Sequence, residues 1–426
     1  MPRRSLLGRF AQFYRSNATF AGFLDFAVFG GLALLFLHPP DMTALWSVGS
    51  SLTSPPAAPQ SVVGSNTVTS NPQHTSPPNA AGPSGNPPQY AWSAISKQGP
   101  ADFLHLSPEA IRPQLREIID LAGKRQVLEA QRRLELLDAK DPNVAYLRGD
   151  LLAGQHGDLS AVRAAYLHAA ELGHPLAMLF AANMLMSGVG GPADSALAFA
   201  LLQKAYQQGV EDAGMNLAKR YFVDGELGKK DYVKALEINS ALANKKHPGA
   251  LNNLGTQYEQ GLGTAADPGR ALGLFRESAE LGNPMAMANT GRMLTQGKGI
   301  PRDLAAAVVW LNKAIDGGFI PATMFLGAVY MKPPDGSPSD PLLAAQAFRK
   351  GALRNFGPAQ FALAQLYEDG HGLPRDLPLA YLYYGLANAN GERRGAAKLP
   401  DLEAKMPASD RDRAHKLLEA ALPKRP

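Results

Sequence analysis

Residues 286–319 read "AMANTGRMLTQGKGIPRDLAAAVVWLNKAIDGGF", and the same pattern returns at 250–283 and 359–391. An aspartate in the middle of the pattern recurs at intervals of 36 or 37 residues. These aspartates are Asp158, Asp194, Asp231, Asp267, Asp303, Asp340 and Asp376. Because a repeat period of about 20 to 50 residues is typical of solenoids, the stretch predicts an array of one structural unit.

Each unit is predicted to contain two helices. Ala250, Leu254 and Tyr258 are spaced by four residues, so they share one face of a first helix. Glycines follow that helix and provide its C-cap, and the recurring aspartate begins the second helix as its N-cap. Within the first helices, three glycines are predicted to let a neighbouring helix approach closely: Gly255, Gly291 and Gly327.

The glycine-rich stretch "QGKGIPRD", residues 296–303, has two interpretations. Glycines around a lysine are typical of loops that bind phosphate groups. The corresponding stretches of other units read "SGVGGPAD", "QGLGTAAD" and "DGHGLPRD", so Lys298 occupies a position where valine, leucine and histidine also stand. The pattern therefore favours a turn between two helices, ending at the N-cap Asp303, over a nucleotide site.

The pattern resembles the SEL-one-like repeat family, whose members are α/α solenoids related to tetratricopeptide repeats. The family motif matches Ala286 through Gly318, with Trp310, Lys313 and Ala314 at their expected positions. The resemblance implies an all-α fold: an α/α solenoid superhelix of about seven repeats over residues 143–395. The unit that begins at 143 has a degenerate first helix, and "MKPPDGSPSD" at 331–340 replaces the glycine turn of the unit that opens with Ala322.

Helical caps are expected at both ends of the array, because terminal repeats need a polar outer face. One more helix pair over 107–137 predicts an N-terminal cap within residues 101–142. Residues 409–422 predict a single polar cap helix within residues 396–426.

The amino-terminal region is predicted to hold a membrane anchor. Residues 20–37 are 18 apolar or small residues apart from Asp25, a length of roughly 27 Å as a helix against a hydrocarbon thickness of about 30 Å. Arginines precede this run, and no Lys or Arg follows it before Lys97. The positive-inside rule then places residues 1–19 in the cytoplasm, a single transmembrane helix at 20–38 in the inner membrane, and the repeats in the periplasm. A cleaved signal peptide and a buried helix are the alternatives.

Two features of this region bear on partners. Ala27 and Gly31 form a small-xxx-small pair beside Asp25, which permits close packing against a transmembrane partner helix; alternatively, Asp25 extends to the membrane interface. Residues 39–100 are rich in Pro, Ser and Asn and are predicted to be a disordered linker.

Composition excludes several classes of function. Of the net charge of +5, residues 1–100 carry +3, from five basic and two acidic residues, and the remaining residues carry +2. This nearly neutral remainder argues against nucleic acid as a partner. The chain has no cysteine, and its nine histidines form no recognised metal spacing, so each is interpreted as a surface or loop residue. No catalytic motif is present, although paired carboxylates distant in sequence stay open. We therefore predict no enzyme activity, no cofactor and no metal.

The resemblance implies a non-catalytic scaffold that binds a protein or peptide in an envelope assembly, such as secretion, signalling, or cell-wall or exopolysaccharide biogenesis. The alternative is a glycan-binding regulator of peptidoglycan or exopolysaccharide. Three asparagines stand three residues after the opening alanine of consecutive units, with basic and polar neighbours. The predicted partner-binding groove consists of Asn216, Lys219, Arg220, Asn253, Thr256, Gln257, Asn289 and Arg292. The asparagines are predicted to bind an extended peptide, or instead to bond to the backbone of the adjacent repeat.

Overall fold

The computed structural model describes residues 98–155, 158–223 and 230–422, which contain helices and no strand. No helix in these ranges combines the length and the apolar composition that crossing a membrane requires. The predicted transmembrane helix at 20–38, with Asp25, Ala27 and Gly31, and the linker up to residue 97 lie outside the described residues.

The chain divides into two compact units, the first ending at Asp212 and the second beginning at Ala213. In the first unit, the 3₁₀ turns Pro100–Leu106 and Glu109–Ile111 precede the helices. These are α1 (Arg112–Gly123), α2 (Val127–Leu134), α3 (Pro142–Gly154), α4 (Leu159–Glu171), α5 (Pro175–Ser187) and α6 (Ser195–Gln207). Each packs against the next in the chain.

The division between the units falls within α7 (Glu211–Val223), and the second unit contains the remaining helices. These are α8 (Tyr232–Asn244), α9 (Pro248–Gln260), α10 (Pro268–Glu280), α11 (Pro284–Gln296), α12 (Leu304–Asp316), α13 (Ala322–Met331), α14 (Pro341–Ala352), α15 (Gly357–Asp369), α16 (Leu377–Ala389), α17 (Arg394–Lys405) and α18 (Ala408–Ala421). From α8 to α16 each helix again packs against its successor, which is the helical solenoid arrangement predicted from the period.

The recurring aspartates are confirmed as N-caps of the second helices. Asp158 accepts a hydrogen bond from the backbone N–H two residues on, and the other six accept from the N–H three residues on. In α12, for example, Asp303 Oδ1 lies 2.9 Å from the Ala306 nitrogen. The period in the sequence is therefore the period of helix starts.

Replacing Asp303 with alanine should lower the free energy of unfolding by about 0.5–2 kcal/mol, because an orphan N–H of α12 loses its acceptor. Asp316 is exposed at the end of the same helix, so Asp316→Ala is a matched control that should change stability little. Urea denaturation of both variants measures the difference. Equal midpoints would contradict the capping role.

The turn at 296–303 connects the two helices of one repeat and contacts the preceding repeat. Gly297, with φ +63°, caps α11 and donates its N–H to the Met293 carbonyl. The second glycine, Gly299, has φ +73° and lies against Pro268 at the start of the preceding second helix, so that a Cβ there would be 2.8 Å from the proline ring. The stretch is therefore a structural turn, as predicted, and its second glycine is a contact between repeats.

Close approach within each repeat depends on the glycines in the first helices. A Cβ on Gly255 would lie 2.9 Å from the Phe275 ring, and a Cβ on Gly327 would lie 2.2 Å from the Phe348 ring. A Cβ on Gly291 would lie 2.7 Å from the Leu311 side chain. The prediction that these glycines permit close helix approach is confirmed.

The structure departs from the expected pattern in two places. In the sixth repeat α13 is 10 residues long, against 13 for most of the others. The following loop is exposed, and its Pro334 carbonyl accepts a hydrogen bond from Arg302 Nη1 at 2.7 Å. At the C-terminal end, two helices, α17 and α18, pack on α16 where one was expected. Glu403 of α17 accepts hydrogen bonds from Tyr381 of α16 and from the His415 ring of α18. The sequence did not predict α17 because Pro400 lies inside it, and proline usually ends a helix.

Candidate functional site

The predicted groove lies on the first helices of three repeats, namely α7, α9 and α11. Asn216, Asn253 and Asn289 are each half-buried, so part of each side chain is accessible. Asn253 makes no side-chain hydrogen bond to any residue in the described ranges. It therefore presents an uncommitted amide, which can both donate to and accept from a peptide backbone.

Asn289 instead connects two repeats. Its Nδ2 donates to the Oδ1 of Asn252, which lies in α9, at 2.9 Å. Asn252 is buried, and its own Nδ2 lies 3.6 Å from the Met285 sulfur at the start of α11. Asn289 therefore bonds to the adjacent repeat, as the alternative to peptide binding predicted, but its partner is a side chain and not the backbone.

Arg292 is held by an acidic residue of the preceding repeat. Its guanidinium makes two hydrogen bonds to the Glu259 carboxylate, at 2.8 and 2.7 Å. The two side chains are only 12% and 19% exposed. A bidentate pair of this kind fixes the spacing of α9 and α11, and it leaves little of the Arg292 charge available to a ligand.

Two of the predicted groove residues are inside the protein. Thr256 is buried, and its hydroxyl donates to the Asn252 carbonyl of the same helix. Gln257 is also buried; it accepts from Asn239 Nδ2 at 2.8 Å and donates to the Tyr232 carbonyl. Neither side chain lines an accessible surface, and Gln257 is covered by α8 of the preceding repeat.

The basic members of the predicted groove lie on α7. Lys219 and Arg220 are half-buried, and both, like Asn216, interact with neighbouring groups. Across α9 and α11, Asn289 and Arg292 form contacts between repeats with Asn252 and Glu259, while Asn253 lies on α9 next to Asn252.

Sequence reasoning missed an apolar extension of this face. The position three residues after the opening alanine is occupied by Phe325 in the next repeat, and Phe325 is half-buried in α13. Met324 beside it is also half-buried, and Ala328, one turn on, is exposed. Following the same position through every unit of the sequence would have shown this change from asparagine to phenylalanine.

A buried acidic group, Asp150, lies in the first unit. Burial raises the pKa of the Asp150 carboxyl to about 7, and a long hydrogen bond from the Tyr166 hydroxyl, at 3.5 Å, opposes the shift only in part. Burial, followed by the nearby Asp150, raises the pKa of Tyr146 as well. Although perturbed pKa values often mark active sites, these groups are enclosed in the core and inaccessible to a substrate.

His174 and His247 lie in loops, as expected, but both are buried, and each caps the helix that follows it. The Nδ1 of His174 accepts from the Ala177 N–H at 3.3 Å, which requires its Nε2 to carry the proton that is shared with Asn143 Oδ1 at 3.1 Å. The ring stacks on Tyr146 with centroids 4.3 Å apart. Burial lowers the pKa of His174 to about 3.

This buried histidine should make the first unit sensitive to acid. Since its pKa is about 6.5 when unfolded and about 3 when folded, its contribution is complete above about pH 6.5 and is lost as pH falls, by about 2 kcal/mol between about pH 7.5 and pH 5. His174→Asn should remove this loss, because Asn283 caps α11 from the equivalent position without titrating. Hydrogen exchange of α5 peptides at both pH values measures the effect; an unchanged pH dependence in H174N would contradict it.

The described ranges contain no group of three or more His, Asp or Glu side chains placed to bind a metal ion. The periodic carboxylates are used as caps. What the candidate site offers on α9, α11 and α13 is amide and apolar surface, which suits binding.

A comparison with protein-family models matches the Sel1 repeat five times, at residues 175–210, 212–238, 248–283, 284–319 and 357–392. The described residues between Pro142 and Ala389 form seven helix pairs. The matches leave out the first and sixth of these pairs, whose sequences depart from the pattern.

Two curated relatives illustrate the range of proteins that share the repeats. The chain is 26% identical over 61% of its length to "Chitin synthase regulatory factor 3" of Schizosaccharomyces pombe, and 30% identical over 32% of its length to "Alginate biosynthesis protein AlgK" of Azotobacter vinelandii. Each alignment covers 29% of the relative, so the chain spans less than a third of either protein.

Among solved structures, the Sel1 repeat protein from Oxalobacter formigenes is similar over 72% of this chain and 94% of that one, at 25% identity and a TM-score of 0.52. That protein shares the arrangement of consecutive helix pairs described above. With five repeats matched, and with the recurring aspartates confirmed as helix N-caps, the chain belongs to the Sel1 repeat family.

Proposed function

We propose that this protein is a non-catalytic scaffold whose first-helix face on α9, α11 and α13 binds an extended peptide segment of a protein partner. The observation that carries the proposal is the uncommitted, half-buried amide of Asn253. Around it, the Asn252–Asn289 and Glu259–Arg292 contacts hold the neighbouring helices in place. A fixed amide costs little entropy to engage, so it suits recognition of a peptide backbone.

The chemistry of this face favours a peptide over a glycan. Sugar rings are bound by rows of accessible aromatic side chains, whereas the accessible groups here are amides and the apolar Met324, Phe325 and Ala328. An extended peptide would place backbone groups at Asn253 and an apolar side chain at Met324.

We infer that the partner belongs to an assembly that makes or exports a polymer of the cell envelope. The names of the two curated relatives, which concern chitin synthase regulation and alginate biosynthesis, support this inference. The AlgK match covers only 32% of this chain, and the named process comes from the whole relative, so the assembly itself is part of the proposal.

We further propose that residues 20–37 anchor the chain in an inner membrane, with the repeats in the periplasm and with Asp25, Ala27 and Gly31 available to a partner helix. The support is the apolar run, the four arginines before it, and the absence of Lys and Arg between it and Lys97. A C-terminal alkaline phosphatase fusion should be active in a Gram-negative host. An inactive phosphatase together with a fluorescent C-terminal GFP would reverse the orientation.

The binding face can be tested in the full-length protein with a photo-crosslinking amino acid at position 253. Crosslinking in cells should capture one partner, whereas the same probe at Glu237, exposed on the second helix α8, should not. Asn253→Ala should then weaken binding of the purified partner by about 3- to 10-fold, because roughly one hydrogen bond is lost. Equal capture from both positions, or unchanged affinity in N253A, would reject this face.

A further inference from the structure

The N-terminal helix pair exposes an apolar stripe. Leu128 and Leu136 are 73% and 85% exposed, although both side chains are large and apolar. They are spaced by eight residues with Arg132 midway, and α2 continues into the turn that contains Leu136. Since residues four apart share a helical face, Leu128 and Arg132 lie on one face of α2, and Leu136 follows in the turn after it. We call these three exposed side chains the N-terminal stripe.

Arg132 in the middle of the stripe is exposed and makes no hydrogen bond or ion pair with any described residue. The adjacent Arg133, by contrast, is paired with both Glu117 and Glu129. An unpaired guanidinium between two exposed leucines is suited to cover by an aromatic ring, because the ring gains a cation–π interaction and apolar contact together.

The other end of the array does not show this feature. The outer face of α18 carries Ser409, Asp412, Arg413 and Lys416 around the half-exposed Leu417. Terminal repeats normally present such a polar face to water. The N-terminal end breaks this rule with two leucines, which indicates that another group covers them.

We propose that residues 90–95 of the same chain, "YAWSAI", dock on the N-terminal stripe, with Trp92 packed on Arg132 between Leu128 and Leu136. This segment lies outside the described ranges and precedes them directly. It contains Tyr90, Trp92 and Ile95 within six residues, in a region otherwise dominated by small and polar residues.

Chain length brings the segment to the stripe. Trp92 is six residues before Gln98, where the described chain begins, so it lies at most about 20 Å away. The 3₁₀ turn that follows packs on α1 and α3, and these are the same helices against which α2 packs. Such a short tether gives an effective concentration on the order of millimolar, so even a weak contact is populated.

The absence of cysteine allows a direct test in the full-length protein. We would introduce Ser93→Cys with Glu135→Cys, which is exposed beside Leu136, and treat membranes with a short bismaleimide. An intramolecular crosslink is expected, and it should exceed by about fivefold the yield for Ser93→Cys with Arg116→Cys, exposed on α1, given the local concentration near the stripe.

Adding Trp92→Ala to the first pair is the matched control, because it leaves the folded repeats unaltered and should reduce the yield to that of the second pair. Leu128→Asp with Leu136→Asp should do the same, and both sites are exposed enough to keep the melting temperature unchanged. Equal yields for both cysteine pairs, or a yield insensitive to Trp92→Ala, would overturn the proposal. A crosslinked dimer in place of the intramolecular product would also overturn it, in favour of a second copy of the chain on the stripe.

Discussion

Replacing Gly263 with alanine should destabilise the second unit by about 2–5 kcal/mol, a large share of the stability of an ordinary domain. Gly263 has φ +76°, and a Cβ there would lie 2.4 Å from the Tyr232 carbonyl oxygen of the preceding repeat. The substitution therefore adds a clash between repeats to the strain of a left-handed backbone. Because the contact is with backbone, no side-chain rotation can relieve it.

Gly282→Ala separates the two effects. Gly282 also has a positive φ, +88°, but a Cβ there would have nothing within 4 Å. Its replacement should cost only the left-handed strain, about 1–2 kcal/mol. Urea denaturation followed by the fluorescence of Trp310, in α12, measures both variants. If both variants lose the same stability, the contact of Gly263 with the preceding repeat does not contribute to the stacking of repeats.

Asp150→Asn should stabilise the first unit increasingly as pH rises. The folded pKa of about 7 lies above the value of 3.8 taken for an unperturbed carboxyl, so the wild type is most stable below about pH 4 with respect to this group and loses stability as pH passes through 7. Asparagine keeps the shape without the charge. The advantage of D150N should therefore grow by about 2–3 kcal/mol between about pH 5 and pH 8.

Hydrogen exchange of peptides from α3 and α4 in the full-length chain measures this difference. Asp158→Asn is the matched control in the same unit, because hydrogen bonds from Ser160 lower the pKa of that exposed carboxyl. Replacing Asp158 should leave stability unchanged or lower it, and any loss should grow, not shrink, as pH rises above the pKa of that carboxyl. An advantage of D150N that is constant with pH would mean that the buried carboxyl stays protonated throughout.

Which residues of the face remain accessible could not be predicted from spacing. Asn253 and Gln257 are four residues apart on α9, yet one is half exposed and the other buried. Gln257 meets Asn239 of α8, 18 residues earlier, and the position of that helix decides its burial. The burial of His174 could not be predicted for the same reason, since its partner Asn143 lies 31 residues away and its ring stacks on Tyr146.

The sequence by itself determined the repeat, the helix starts and the turns, because caps and turns are made by groups close together in the chain. The Asp303 carboxylate needs only the Ala306 N–H, three residues on, and Gly297 needs only its own backbone freedom. Only the tertiary structure decided that Asn289 and Arg292 are committed to the neighbouring repeat, across 37 and 33 residues. Such contacts depend on how closely α9 and α11 pack, and that distance is the joint result of every side chain and glycine between them.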